Sequence, residues 1–190
     1  MNNSGAERRK KILEAISADD RPLSASALAD SMGVSRQAIV GDVAILRASG
    51  HSIIATARGY MMERPCAGRY SGRVAVKHSR TRTRSELMAI VRAGGVVVDV
   101  TVTHPFYGDL TGSLNLATPQ DVDEFITCIG GGRAGGGKTG GSNDNAEKGA
   151  LLSDLTGGIH MHTISCESRD VFDAIVSELS RMGILLSNTV

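Results

Sequence analysis

LSASALADSMGVSRQAIVGDVAILRASG, residues 23–50, decides the architecture of the amino-terminal third. Ser24 or Ser26 can cap a short helix that ends near Met32, because a serine hydroxyl accepts the free amide protons of a first helical turn. Gly33 supplies the tight turn, and Ser35 caps a second helix running to about Ser49. Helix, glycine turn, helix is the helix-turn-helix pattern, whose second helix enters the DNA major groove. Along that helix Ile39, Val43 and Leu46 recur at helical spacing as the inward stripe. Ser35, Arg36, Gln37 and Val40 face outward at its amino end. Arginine and glutamine make bidentate contacts to guanine and adenine edges, so Arg36 and Gln37 are the expected base readers.

Working outward, RRKKILEAIS at residues 8–17 has the apolar period of a preceding helix. HSIIATARGYMM at residues 51–62 reads as two short strands hinged at Ala57, Arg58 and Gly59, a wing that carries His51 exposed and brings Arg58 to phosphate or the minor groove. Residues 1–66 hold nine Lys or Arg against seven Asp or Glu, a local charge of only +2. Modest charge favours a homodimer, which doubles the phosphate contacts on one operator DNA. VSRQAIVGDVAILRASGHSIIATARGY, residues 34–60, resembles the winged-helix domain at the start of biotin-repressor-type and niacin-responsive repressors. That resemblance implies a DNA-binding module and names no ligand.

The whole chain narrows the classes further. With 3% aromatics and no Trp it lacks the material for a base-stacking platform on single strands. MNNSGAERRKK is polar and no apolar run approaches 18 residues, so a cytoplasmic protein with no membrane partner is expected. Cys66, Cys128 and Cys166 are odd in number and form no CxxC pair, which suits buried thiols in a reducing compartment.

Beyond residue 66 the pattern changes to mixed strands and helices. SGRVAVKH and VVVDVTVTH (residues 96–104) are strand-like, and TRSELMAIVRAGG between them is a helix stopped at Gly94 and Gly95. HPFYGDLTGS reads as a turn leading to a short run, LNLA, at residues 114–117. Thr118 caps TPQDVDEFITCI with Pro119 at the first helical position. GGIHMHTISCES is a further strand, SRDVFDAIVSELSRMG a helix capped by Ser168 and ended by Gly183, and ILLSN an edge strand or a packed tail. The expectation is α+β: residues 1–66 a winged helix-turn-helix, and residues 67–190 a sheet with helices on one face, interrupted by a Gly-rich surface insertion at about 130–149. That insertion contains G-x-x-x-x-G-K-T at Gly132, Gly137, Lys138 and Thr139. A phosphate loop needs a strand before it and a helix directly after, and this context supplies neither.

GGIHMHTIS places His160 and His162 on one face of a strand, with Cβ atoms about 7 Å apart. His78 and His104 fall at strand ends, and Glu86 follows His78 by eight residues in the first turns of a helix. Three imidazoles and a carboxylate suit zinc, nickel, iron or cobalt. Spacing alone equally allows strand histidines that satisfy local hydrogen bonds. His78 with Glu86, DVTVTHPFYGDL at residues 99–110 and LSDLTGGIHMHTI at residues 152–164 are similar to the three signature segments of the three-histidine domain of niacin-responsive transcriptional repressors. The resemblance, with the winged helix, spans nearly the whole chain. It implies an HPr-like α+β second domain, metal ligation by His78, Glu86, His160 and His162, and a repressor of niacin uptake or NAD biosynthesis genes with nicotinic acid as corepressor. His104 would line the same region, and His104 and Tyr107 would orient the effector. Two features depart from the pattern: the long Gly-rich insertion, and the Arg80, Arg82, Arg84 series, which suits either an anionic effector or a solvated face. Two other readings stand beside this one. They are a repressor that senses the metal itself, and a metal-dependent enzyme with Glu86 or His104 as base and Asp99 or Asp109 nearby.

Overall fold

Ser24, not Ser26, starts the short helix of the helix-turn-helix: its hydroxyl accepts the Ala27 amide at 3.0 Å. In the computed structural model, which describes residues 5–19, 21–63, 69–130 and 150–189, α1 (Gly5–Ala18), α2 (Ala25–Met32) and α3 (Arg36–Ala48) form a three-helix unit. Gly33 closes α2 in the left-handed region and Ser35 caps α3 through the Ala38 amide. Ile12, Ile16, Leu28, Ile39, Val43, Leu46 and Ile53 build its core. The inward stripe expected on α3 is therefore the one that packs. β1 (Ile53–Thr56) and β2 (Gly59–Met62) pair antiparallel around the expected hinge. Leu23 bridges to Tyr60 as a third short strand position, with reciprocal bonds of 2.8 and 2.9 Å. His51 lies exposed in the connection before β1 rather than within the hairpin.

One feature of α3 is not apolar. Asp42 stands beside the inward stripe, 4% exposed, and accepts hydrogen bonds from Arg8 and Arg9 of α1. A carboxylate so placed tolerates burial only with cationic partners. It ties the first helix to the recognition helix.

The chain divides into two compact units, with the division between residues 63 and 69. The second unit is a five-stranded sheet of order β5-β4-β6-β3-β7. Its strands are β3 (Tyr70–Lys77), β4 (Val96–His104), β5 (Gly108–Leu116), β6 (Ile159–Cys166) and β7 (Leu185–Thr189). All of the assigned pairings are antiparallel. α4 (Thr83–Arg92), α5 (Pro119–Ile129) and α6 (Arg169–Arg181) share one core cluster with the sheet, built on Val74, Val97, Ile164, Leu87, Phe125 and Phe172. Thr118 and Ser168 cap α5 and α6, and Pro119 takes the first turn of α5. The carboxy-terminal run is an edge strand paired with β3.

The sequence expectation needs one correction here. DLTGS is not a turn, because β5 begins at Gly108 and pairs with β4 from His104 back to Val97. Its polar residues lie on the more open face of the sheet, as in the Thr101 to Thr111 hydroxyl pair at 2.8 Å, so a strand carries a turn-like composition. Two 3-10 segments were also not expected, Arg80–Arg82 and Leu152–Thr156. The bulk of the Gly-rich insertion, the G-x-x-x-x-G-K-T run and Cys66 lie outside the described residues, while Cys166 is buried and Cys128 half-buried.

Removing the Asp42 carboxylate leaves two partly buried guanidinium groups, 19% and 30% exposed, without their acceptor. Asp42→Ala is expected to cost about 2 to 3 kcal/mol in urea unfolding of the full chain. A loss below about 0.5 kcal/mol, the scale of an ordinary surface substitution, would show that the pair carries no weight.

Candidate metal centre

Alternation along a strand fixes which residues share a face but not which face is covered. The register supplies the missing half: Val74 lies opposite His162 and Val76 opposite His160. Both valines are fully buried under the helices, so His160 and His162, 4% and 2% exposed, point into the core as well. α4 crosses that face with Thr83, Glu86, Leu87, Ile90 and Val91 on its buried side. Glu86 thus occupies a position where a helix ordinarily places a leucine, and it is fully buried. His78 directly follows β3, and its backbone amide donates to the Gly158 carbonyl at 3.3 Å. Gly158 has φ +91, and a Cβ there would collide with the His78 carbonyl oxygen. Only glycine lets the start of β6 pass that close.

Four side chains converge. Glu86 Oε2 lies 2.6 Å from His78 Nε2 and 3.4 Å from His160 Nε2, and Glu86 Oε1 lies 3.5 Å from His162 Nε2. His78, Glu86 and His160 each offer a ligand atom, all within 4.8 Å of one another. The rings of His78 and His160, and of His160 and His162, stand edge to face with centroids 4.9 and 4.8 Å apart. The far side of each ring is equally fixed. His78 Nδ1 donates to the Ser79 carbonyl at 2.9 Å, His160 Nδ1 to that of Gly158 at 3.0 Å, and His162 Nδ1 to that of Asp99 at 2.7 Å. A carbonyl oxygen only accepts, so the proton of each neutral ring sits on Nδ1 and its Nε2 lone pair faces Glu86.

That arrangement has an electrostatic consequence. Nε2 lone pairs turned on a buried carboxylate repel it, so either protons or a cation must lie between them. Without a metal the answer is protons. For His78 and His162 burial is the strongest influence and opposes protonation, but Glu86 outweighs it, through its hydrogen bond and charge at His78 and through its charge at His162, and both pKa values are raised from 6.5. Glu86 is likewise pushed up by burial, yet the charge of His162 and the hydrogen bonds from His160 and His78 hold it well below 4.5. Glu86 Oε1 and His162 Nε2 nevertheless remain buried without a hydrogen-bond partner. Three imidazoles anchored through Nδ1 with a carboxylate between their Nε2 atoms form a donor set and outer shell of the kind that could hold a divalent transition metal.

Of the four residues expected as ligands, His78, Glu86 and His160 form one close group, and His162 adjoins it through its 3.5 Å contact with Glu86. His104 and Tyr107 are not brought to them. They occupy the tip of the β4–β5 hairpin, stacked on each other with centroids 4.9 Å apart, and Tyr107 is 76% exposed. His104 lies five residues along β4 from Asp99, about 16 Å from the carbonyl that anchors His162. In the first unit Arg36 and Gln37 are exposed at the amino end of α3, and Ser35 is engaged as its cap. Arg58 is half-buried in the wing turn. Arg80 and Arg84 are paired with Asp154 and Asp123, and Arg82 donates to the Met182 carbonyl, so the arginine series braces neighbouring segments.

The role that the sequence alone does not disclose is that of the Nδ1 anchors. Asp99 was visible as a charge inside a β-branched run: its carbonyl holds His162, and its carboxylate accepts the Thr163 amide at 3.1 Å where the β4 register shifts. The Ser79 and Gly158 carbonyls left no such sign, since a backbone group has no sequence signature.

Comparison with known proteins agrees with this division. Residues 8–61 match an HTH domain family and residues 71–188 match the 3H domain family. The chain is 36% identical over 186 residues to the probable transcription repressor NiaR of Thermotoga maritima, covering 98% of this chain and 97% of that protein. It is 34% identical over 187 residues to the transcription repressor NadR of Bacillus subtilis, covering 97% and 96%. The chain belongs to the 3H-domain family, carries an amino-terminal HTH domain ahead of the 3H domain, and is similar over nearly its full length to these two transcription repressors.

Proposed function

We propose that this protein is a cytoplasmic transcription repressor of niacin uptake or NAD biosynthesis genes. It binds operator DNA as a dimer through α3 and the β1–β2 wing, and holds a divalent metal at His78, Glu86, His160 and His162. Nicotinic acid is its corepressor. The observation that carries the sensor half is the convergence of three carbonyl-anchored imidazoles on one buried carboxylate, with Glu86 Oε1 and His162 Nε2 left unpartnered. Zinc, nickel or iron, when bound there, supplies an open coordination position for a pyridine nitrogen or carboxylate. Glu86 balances half of a divalent charge, and the Nδ1 anchors hold the rings in their ligating tautomer. No helix among the described residues is long and apolar enough to cross a membrane.

In this reading Arg36 and Gln37 read base edges, Ser35 fixes the helix end that presents them, and Arg58 supports the wing against the backbone. His104 and Tyr107 touch the effector only if the second subunit of the dimer lends them, given their distance from their own cluster. An enzyme would need a base at the cluster. Glu86 is engaged by all three histidines, and Asp109 is hydrogen-bonded to Thr103 near the hairpin tip.

Titration of operator fragments with the full chain is expected to show tight binding only with both metal and nicotinic acid present. Binding that ignores both removes the sensor function, and binding switched by metal alone makes the protein a metal sensor. Arg36→Ala is expected to weaken operator binding by about 1 to 3 kcal/mol and to relax base preference. An unchanged operator affinity takes Arg36 out of the readout. Replacing His160 and His162 together by alanine is expected to abolish bound metal, as measured by elemental analysis of the purified chain.

The pKa directions predict opposite pH behaviour with and without metal. The raised pKa values of His78 and His162 contribute stability to the metal-free fold that is fully present below the unfolded value of 6.5 and lost as pH rises through their folded values. The lowered pKa of Glu86 contributes stability above 4.5 that is lost as pH falls through its folded value. The cluster thus supports the metal-free fold best between these two values. Metal competes with the same protons and gains as pH rises. A chelator is therefore expected to lower Tm little at pH 5.5 and strongly at pH 8. An equal drop at both would contradict the ligand assignment.

A further inference from the structure

Beside the histidines lies a cavity of about 30 Å³ whose walls include Leu87, Val100, Leu114, Phe125 and Leu152. His160 and His162 close one side, and Thr83, the first residue of α4, also lines it. Thr83 is 7% exposed and its hydroxyl has no hydrogen-bond partner. A helical threonine ordinarily donates to the carbonyl four residues back. Here that carbonyl belongs to Ser79, and it already accepts the His78 Nδ1 proton and the Arg82 amide. The contact that fixes a metal-binding ring therefore coincides with a hydroxyl left without its usual partner. A buried hydroxyl without a partner is costly, and a metal held by Glu86 and the histidines does not by itself supply one.

We infer that Thr83 is an effector-binding residue: its hydroxyl donates to the carboxylate of a small planar heteroaromatic acid seated in this cavity against His160 and His162. The inference rests on the reading of the cluster as a metal site with a pyridine carboxylate effector, and adds the seat and the recognising group. The apolar walls suit a ring face and offer nothing to a hydrated or multiply charged ligand. As it stands the cavity has room for about one or two waters and not for a ring. The wall that yields is Leu152, because it belongs to the 3-10 segment Leu152–Thr156, whereas the other apolar walls named above are on helices and strands. That segment is tied across to Arg80 by an ion pair of 3.0 Å whose partners are 37% and 41% exposed, a link too solvated to resist strongly.

The test is calorimetric titration of nicotinic acid into the metal-loaded full chain and its Thr83→Val and Thr83→Ser variants, with metal content and Tm recorded for each. Valine keeps the shape and removes the hydroxyl, and serine keeps the hydroxyl. The expected result is that Thr83→Val retains metal and an equal or higher Tm but binds nicotinic acid about tenfold or more weaker. Thr83→Ser is expected to stay within about threefold of the parent, less than the loss of one such bond. Equal affinity in Thr83→Val overturns the inference, and so does loss of metal from that variant, which would place the hydroxyl in the metal's own shell. Failure of the metal-loaded parent to bind nicotinic acid overturns the effector reading beneath it, and the inference with it.

Discussion

A carboxylate buried to zero exposure inside a hydrophobic core is the constraint on which the second unit turns. Glu86 sits on the sheet-facing side of α4 among Leu87, Ile90 and Val91, where transfer of a charge from water is prohibitive unless it is paired. The partners come from two other places in the chain: the residue after β3, and two alternate positions of β6. The β3–β6 register, the crossing of α4 over that face and the close passage of Gly158 past His78 must all hold together for Glu86 to be paired. The site is thus part of the folding requirement of the unit and not a decoration on a finished core. The same physics appears on a smaller scale in the first unit. There Asp42 on α3 is buried only because two arginines of α1 reach it.

Much of this arrangement was readable before any coordinates. Helix caps at Ser35, Thr118 and Ser168 have local causes, because a hydroxyl bonds an amide three residues away, and local causes leave local signals. The wing hinge and the shared face of His160 and His162 follow from short-range periodicity in the same way. What remained hidden depends on contacts between distant residues. Periodicity cannot say which face of β6 the helices cover, and that choice separates a buried His/Glu cluster from two solvated imidazoles. β5 was misread because the stretch following the hairpin tip is rich in Gly, Asp and Thr. Those residue types are favoured in turns, yet they also suit a strand with one open face. The Nδ1 anchors were invisible for a deeper reason: Ser79, Gly158 and Asp99 contribute backbone carbonyls, which every residue possesses.

Family resemblance and local chemistry contribute different things to the site. Resemblance selects His78, Glu86, His160 and His162 from the many polar residues of the chain, but it gives no account of why the imidazoles should ligate. The geometry supplies that account through the tautomer. Once each Nδ1 proton is committed to a carbonyl, three neutral rings present lone pairs to one anion, and the cluster is satisfied by cations alone, whether protons or a metal. A metal held there would compete with protons for the same three nitrogen atoms.

The two halves of the proposed sensor differ in rigidity, and this bears on which can act as a switch. The side chains of the cluster rise from a strand, a helix and the residue directly after β3, all held by the main core, so their geometry is set before any ligand arrives. A corepressor shifts an equilibrium only by as much as it binds one state better than the other. A rigid cluster contacts its ligand alike in both states and contributes little to that difference. The neighbouring wall at Leu152 belongs to a short 3-10 segment braced by a solvated ion pair, a weaker tie than the helices and strands that carry the cluster. In the proposed division of labour a metal held by the cluster would supply affinity and chemical selectivity, while the wall at Leu152 would be the element whose position a bound ring changes.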